Sequence, residues 1–203
     1  MNRREASKRE TKQLILKAAR LLFAQKGMEE CTIRDIARQA GVSPASVMVH
    51  FKSKTALLEE ALNRDIGKAV AELTASLPKE AALLERLMHL AKGFFSLYDS
   101  NRDLYRAFIR QTIFEPVGET PGLSRLTEQY IQFLAGMLAE EKVRGAIREE
   151  ANTEVAAGAI FSLYLGALVM LFRNPKMTKE MAAEILTAMT ENYLKGLSKG
   201  NHS

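Results

Sequence analysis

Apolar residues recur along this chain at intervals of three and four, the spacing that lines one face of a helix, and nowhere do they alternate as a half-buried strand would. Leu14, Ile15, Ala18, Ala19, Leu22 and Phe23 make a wide stripe that predicts a helix from about Lys8 to Gln25, preceded by a polar arm and ended by Gly27. Ile33, Ile36, Ala37 and Ala40 predict a second, short helix. Gly41 after it supplies a left-handed residue for a sharp turn, Ser43 is placed to cap a third helix, and Pro44 sits where that helix begins without needing its N–H. The third helix runs from Pro44 to His50 and turns Val47 and Phe51 inward. Two short helices joined by such a turn form a helix-turn-helix.

The pattern continues. Ser53 caps a long helix from Lys54 toward Leu77, with Leu57, Leu58, Ala61, Leu62, Ile66, Ala69, Val70 and Leu73 on one face and Pro78 as the stop; it is about 36 Å long at 1.5 Å per residue. Leu83 to Tyr98 and Leu104 to Thr112 predict two more helices, separated by Asp99-Ser100-Asn101. The segment EPVGETPG, Glu115–Gly122, reads as a loop before a helix that carries Leu126, Tyr130, Phe133, Leu134, Met137 and Leu138 and ends near Gly145. Val155 to Phe172 is 18 residues without a charge. A bilayer span is one reading of that segment, but Ala, Gly, Ser and Tyr dilute it, and Gly158, Ser162 and Gly166 fall four apart where another helix can approach closely, so a buried or interfacial helix is expected and no membrane partner. A last helix, about Thr178 to Leu197, comes after Asn174-Pro175.

The outward face of the Pro44–His50 helix holds the candidate chemistry. With Val47 inside, Ala45 and Val49 lie opposite, flanked by Ser46 and Met48. An uncharged face of this kind can read base edges in a major groove, by contact with thymine methyls and by a hydroxyl hydrogen bond. The alternative is an ordinary helical hairpin capping a core. Charge favours the first reading. Residues 1–54 hold 12 Lys/Arg against 5 Asp/Glu, a net of +7, and residues 55–203 hold 17 against 19, a net of −2. A basic end coinciding with the helix-turn-helix is the electrostatic footprint of a nucleic-acid binder.

From Thr32 through Leu58 the chain resembles the N-terminal domain of the TetR family of one-component transcriptional regulators. The elements are Thr32, Ile36-Ala37, Ala40-Gly41-Val42-Ser43, His50-Phe51, Lys52-Ser53-Lys54 and Leu57-Leu58, in family order. Where the family has one or two tyrosines just before the histidine, this chain has Met48 and Val49, so the tyrosine–phosphate contacts do not carry over, whereas those of Thr32, His50 and Lys54 do. The DNA-contacting set expected is therefore Thr32, Arg34, Pro44, Ala45, Ser46, Met48, Val49, His50 and Lys54, acting on double-stranded operator DNA. The resemblance implies an all-α protein: a three-helix helix-turn-helix domain, residues 1–54, joined by a long helix to a helical domain, residues 55–203, that binds an effector and forms a homodimer through its last two helices.

For the effector, the helices between about residues 79 and 173 offer Phe95, Tyr98, Phe108, Tyr130, Phe133, Met137, Phe161 and Tyr164, with Thr112 and the tyrosine hydroxyls as sparse polar groups. That lining suits a small hydrophobic or aromatic ligand of drug size. Each of these side chains also reads as ordinary core filling. Arg106 and Arg110, four apart, suit an anionic ligand or a solvated face. Cys31 stands alone and reads as a packing residue, His50 and His89 lack a Glu three residues before them, and no phosphate loop or nucleophile elbow occurs, so neither a metal, a cofactor nor an enzyme is expected. MNRREASKRE lacks the apolar stretch of a signal peptide, which places the protein in the cytoplasm. The competing reading is a helical small-molecule carrier or catalyst whose helix-turn-helix is merely structural.

Overall fold

A computed structural model describes residues 3–114 and 120–198, apart from the side chains of Gln111 and Thr112. The described residues form nine helices: α1 Arg3–Glu30, α2 Ile33–Ala40, α3 Pro44–His50, α4 Lys54–Ala75, α5 Leu83–Asp99, α6 Arg102–Thr112, α7 Pro121–Val143, α8 Thr153–Arg173 and α9 Lys179–Leu197. Among the described residues there is no strand, only an isolated antiparallel bridge between Ile147 and Ser198.

The helix ends are set by local chemistry. Gly41 closes α2 in the left-handed region at φ 69°. Ser43 accepts a hydrogen bond from the Ser46 N–H at 3.1 Å, and Ser53 one from Ala56 at 3.0 Å. Asn101, Asn152 and Thr178 cap α6, α8 and α9 in the same way. Gly27, at φ 77° and ψ 168°, breaks α1 where expected, although a last helical turn resumes beyond it to Glu30. The beginning of α1 differs from expectation: it extends back to Arg3 and takes up the supposed arm, whose Arg, Glu, Ala and Lys residues are good helix formers with no Gly or Pro among them. Its buried stripe is also narrower, made of Ile15, Ala18, Ala19 and Phe23, with Leu14 exposed. The Glu115–Gly122 loop lies mostly outside the described residues.

The chain divides into two compact units: residues up to Lys68 with Asn101–Ser124, and Ala69–Ser100 with everything from Arg125 onward. A single cut at residue 54 is therefore not where the packing divides. The first stretch of α4 buries Leu57, Leu58, Ala61, Leu62 and Ile66 in the first unit, and α6 packs on α1 there. Lys12–Glu60 and Arg20–Asp65, both 2.5 Å, tie α1 to α4. Within the same unit, the buried Glu59 accepts the Leu123 N–H at 2.6 Å and so caps the start of α7; a Cβ on Gly122 would lie 2.2 Å from the Asn63 amide, which explains a glycine at that close approach.

In the second unit α5 and α8 both pack on α9. Helix α8 is long and apolar enough to cross a membrane by length and composition alone. One side of it, with Ala157, Ile160, Tyr164, Ala167, Leu168 and Leu171, is core. Another side is open: Val155, Val169 and Met170 are exposed, and a Cβ on Gly158 or Gly166 would meet nothing within 4 Å.

Candidate nucleic-acid interface and buried aromatic cavity

The first unit presents α3 on a hairpin held by one carboxylate. Asp35 and Thr32 cap reciprocally: the Asp35 N–H donates to Thr32 Oγ1 at 3.1 Å, and the Thr32 N–H donates to Asp35 Oδ2 at 3.1 Å. The Thr32 hydroxyl also donates to that carboxylate at 2.8 Å, as do Lys26 Nζ at 2.8 Å and Arg38 at 2.7 Å. The Lys26 hydrogen bond, and after it those from Thr32, hold the Asp35 carboxyl well below the usual carboxylate range. Helix α3 rests on this base with Val47 fully buried and Phe51 beneath it, under the Lys12 ammonium 5.6 Å above the ring. Its outer side carries Val49, 76% exposed, and Met48, 48% exposed, with Pro44 and Ala45 exposed and Ser46 and His50 half-buried.

Lys54 is placed differently from expectation. Its ammonium donates to the carbonyls of Met28, at 2.7 Å, and Cys31, at 3.2 Å, so it braces the start of α4 against the end of α1. Both polar hydrogens of Thr32 are likewise taken by Asp35. Two cations nearby in sequence remain available: Arg34 and Lys52 are exposed, and neither takes part in a hydrogen bond or ion pair among the described residues. Lys52 stands in the Lys52-Ser53-Lys54 motif, but sequence does not say which lysine of the two faces outward.

The second unit holds a cluster of rings. Phe95 stacks on Tyr164 at 5.5 Å between centroids, Phe94 meets Tyr130 edge-on at 5.4 Å, and Phe161 lies 6.2 Å from Tyr130. Tyr98 lies between Phe94 and Phe172, 6.3 Å from each. Burial raises the ionisation of Tyr98, Tyr130 and Tyr164 above the ordinary phenol value, so all three are neutral near pH 7. Beside Tyr130, Phe161 and Tyr164 is a cavity of only about 10 Å³, completed chiefly by Leu87, Leu134 and Thr190. That is room for about one water.

Residues 15–61 match the family model described as bacterial regulatory proteins, tetR family. That stretch belongs to the TetR family. The chain is 29% identical over 178 residues to the HTH-type transcriptional repressor BepR of Brucella suis, covering 83% of each chain. Similar solved structures include the transcriptional regulator FadR of Bacillus subtilis in complex with stearoyl-CoA, with a TM-score of 0.67 and 22% identity over 94% of this chain and 99% of that one. A regulator from Saccharomonospora viridis in complex with choline superposes with a TM-score of 0.69 at 22% identity, over 94% and 99% of the two chains.

Within that TetR-family stretch the expected DNA-facing residues Pro44, Ala45, Ser46, Met48, Val49 and His50 come together on one helix. Of the expected effector residues, Tyr130, Phe161 and Tyr164 border the cavity and Phe95 backs Tyr164, whereas Met137 is core and Phe133 half-buried away from the lining. Phe108 does not join them: it is fully buried in the first unit, on α6 against α1. The Thr112 side chain lies outside the described residues. Arg106 and Arg110 line a separate groove of about 610 Å³ along the end of α1, where Arg110 pairs with Glu29 and Arg106 with Asp103. Neither is poised as an isolated cation. Sequence reasoning missed Leu87, Leu134 and Thr190 as lining; the signal for Thr190 was its place four residues after Leu186 on an otherwise apolar stripe.

Proposed function

We propose that the protein is a cytoplasmic homodimeric repressor that binds palindromic operator DNA through α3 and is released by a small hydrophobic effector lodged among the rings of the second unit. The observation that carries the DNA-binding reading is the exposure of an uncharged face on a short helix whose every other feature is fixed: capped by Ser43, anchored by Val47, and seated on the Asp35 network. An apolar residue exposed to three-quarters of its surface is a poor choice for water and a good one for thymine methyls. On this reading Ala45, Ser46 and Val49 meet base edges, while Arg34, Lys52 and His50 meet phosphates.

Dimerisation is supported by the open side of α8. Gly158, Ser162 and Gly166 allow close approach there, and exposed Val155, Val169 and Met170 supply apolar area beside them. Two such helices per subunit suit an interface above about 1,000 Å² in total.

The effector reading is supported by the ring cluster, with the ligand complexes of the two similar regulators as precedent for small molecules in this fold. The cavity is far smaller than the drug-sized pocket that the aromatic residues suggest. Rings must therefore move apart for a ligand to enter, and a ligand that binds only the opened arrangement necessarily shifts the population toward it. Selection from a random DNA pool, and then titration with hydrophobic compounds, tests the whole reading: an enriched palindrome released by one of them supports it. A carrier or catalyst with a structural helix-turn-helix would enrich nothing.

A further inference from the structure

One polar group at the cavity lacks the partner that buried polar groups ordinarily have, and a second is only weakly served. Thr190 has no exposed surface, and its hydroxyl meets no hydrogen-bond partner. A threonine inside a helix usually donates back to a carbonyl one turn earlier, as Thr187 on the same helix does to Ala183 at 2.7 Å. Thr190, three residues on and lining the cavity, forgoes that bond. Tyr164 is 8% exposed, and its hydroxyl finds no well-formed hydrogen bond. Its polar neighbour is the Tyr98 hydroxyl, which lies close enough to act on it as a hydrogen-bond partner but not in well-formed geometry, so Tyr164 is only weakly satisfied. Leaving one buried hydroxyl unsatisfied costs about 1–3 kcal/mol. Thr190, with a weakly served Tyr164 lining the same cavity, points to a partner that arrives from outside the chain.

The rest of the lining says what kind of partner. It is Leu, Met, Ala, Ile and aromatic side chains, with no Lys, Arg, His, Asp or Glu. An anion there would find no counter-charge, and burying an unpaired carboxylate is prohibitive. A cation would find no carboxylate either among the lining side chains.

We infer that this cavity selects a neutral, largely apolar molecule bearing a single hydrogen-bonding group, with the hydroxyls of Thr190 and Tyr164 as its polar handles. The inference rests on reading the cavity as the effector site.

The test uses the full chain at pH 7 and four probes of matched skeleton: 4-butylphenol, butylbenzene, 4-butylbenzoate and 4-butylbenzyltrimethylammonium, with binding read by calorimetry and DNA release by anisotropy on the selected operator. The expected result is that 4-butylphenol binds at least tenfold more tightly than either ion. Thr190→Val, which keeps the shape and removes the hydroxyl, should weaken 4-butylphenol about tenfold and leave butylbenzene within twofold, while Thr190→Ser restores the phenol. Equal binding of the benzoate or the ammonium overturns the inference, as does an equal loss of both uncharged probes in Thr190→Val, or no binding by any probe. If 4-butylphenol binds with the Thr190 dependence yet leaves DNA bound, the cavity chemistry stands and the regulatory reading fails. If an ion releases DNA, this inference fails and the regulatory reading stands.

Discussion

Asp35 receives four hydrogen bonds on its carboxylate, from the Thr32 backbone and hydroxyl and Arg38 within the hairpin and from Lys26 on α1. Its carboxyl is thereby held below its ordinary value of 3.8. A depressed folded-state value means that the network contributes stability above the unfolded-state value and loses it as pH falls toward the folded one. Thermal melts between pH 5 and pH 3 should therefore show a falling melting temperature in the native chain and a flatter profile in Asp35→Asn, which is less stable at pH 7. Parallel profiles would show that the carboxylate is not what acid attacks. Lys54 and Lys52 divide two roles that the motif leaves together. Lys54→Met removes a charged donor from two carbonyls and should cost about 1–3 kcal/mol in denaturant unfolding. Lys52→Ala should leave stability alone, weaken all DNA sequences alike and reduce the salt slope by about one. The opposite pattern would return the phosphate contact to Lys54.

At the scale of elements, the hairpin was legible because the signals that shape its turn and second helix are local. The Gly41 turn, the Ser43 cap, Pro44 at the start and the Val47–Phe51 spacing lie within eleven residues of one another. Gly41→Ala should therefore be costly through strain alone, since φ is 69° and an added Cβ meets nothing within 4 Å; about 1 kcal/mol of stability should be lost, with α3 still able to bind DNA at low temperature. Unchanged unfolding would mean that the turn is not held left-handed. What sequence could not show was the destination of a side chain across long separations. The carbonyls that Lys54 seeks are 26 and 23 residues away. Phe108 has the same helical spacing as Phe95 or Tyr98, and only the docking of α6 on α1 assigns it to the other core. Thr190 reads as a polar interruption of a stripe until its missing backbone bond is seen.

At the scale of the whole molecule, the proposed homodimer depends on the open side of α8. Gly166→Arg places a long charged side chain where a partner helix would come closest, and light scattering should find monomers or aggregates in place of dimers. A dimer of unchanged mass would move the interface to another surface. The central claim, that α3 reads DNA sequence through an uncharged face, is tested most directly by selecting binding sites from a random pool with the native chain, with Ser46→Ala and with Val49→Ala. The native chain should enrich a palindrome, and each variant should relax or alter the preference at one symmetric pair of positions while keeping the salt dependence of affinity. An identical preferred sequence from all three proteins, or no enriched sequence from the native chain, would contradict it.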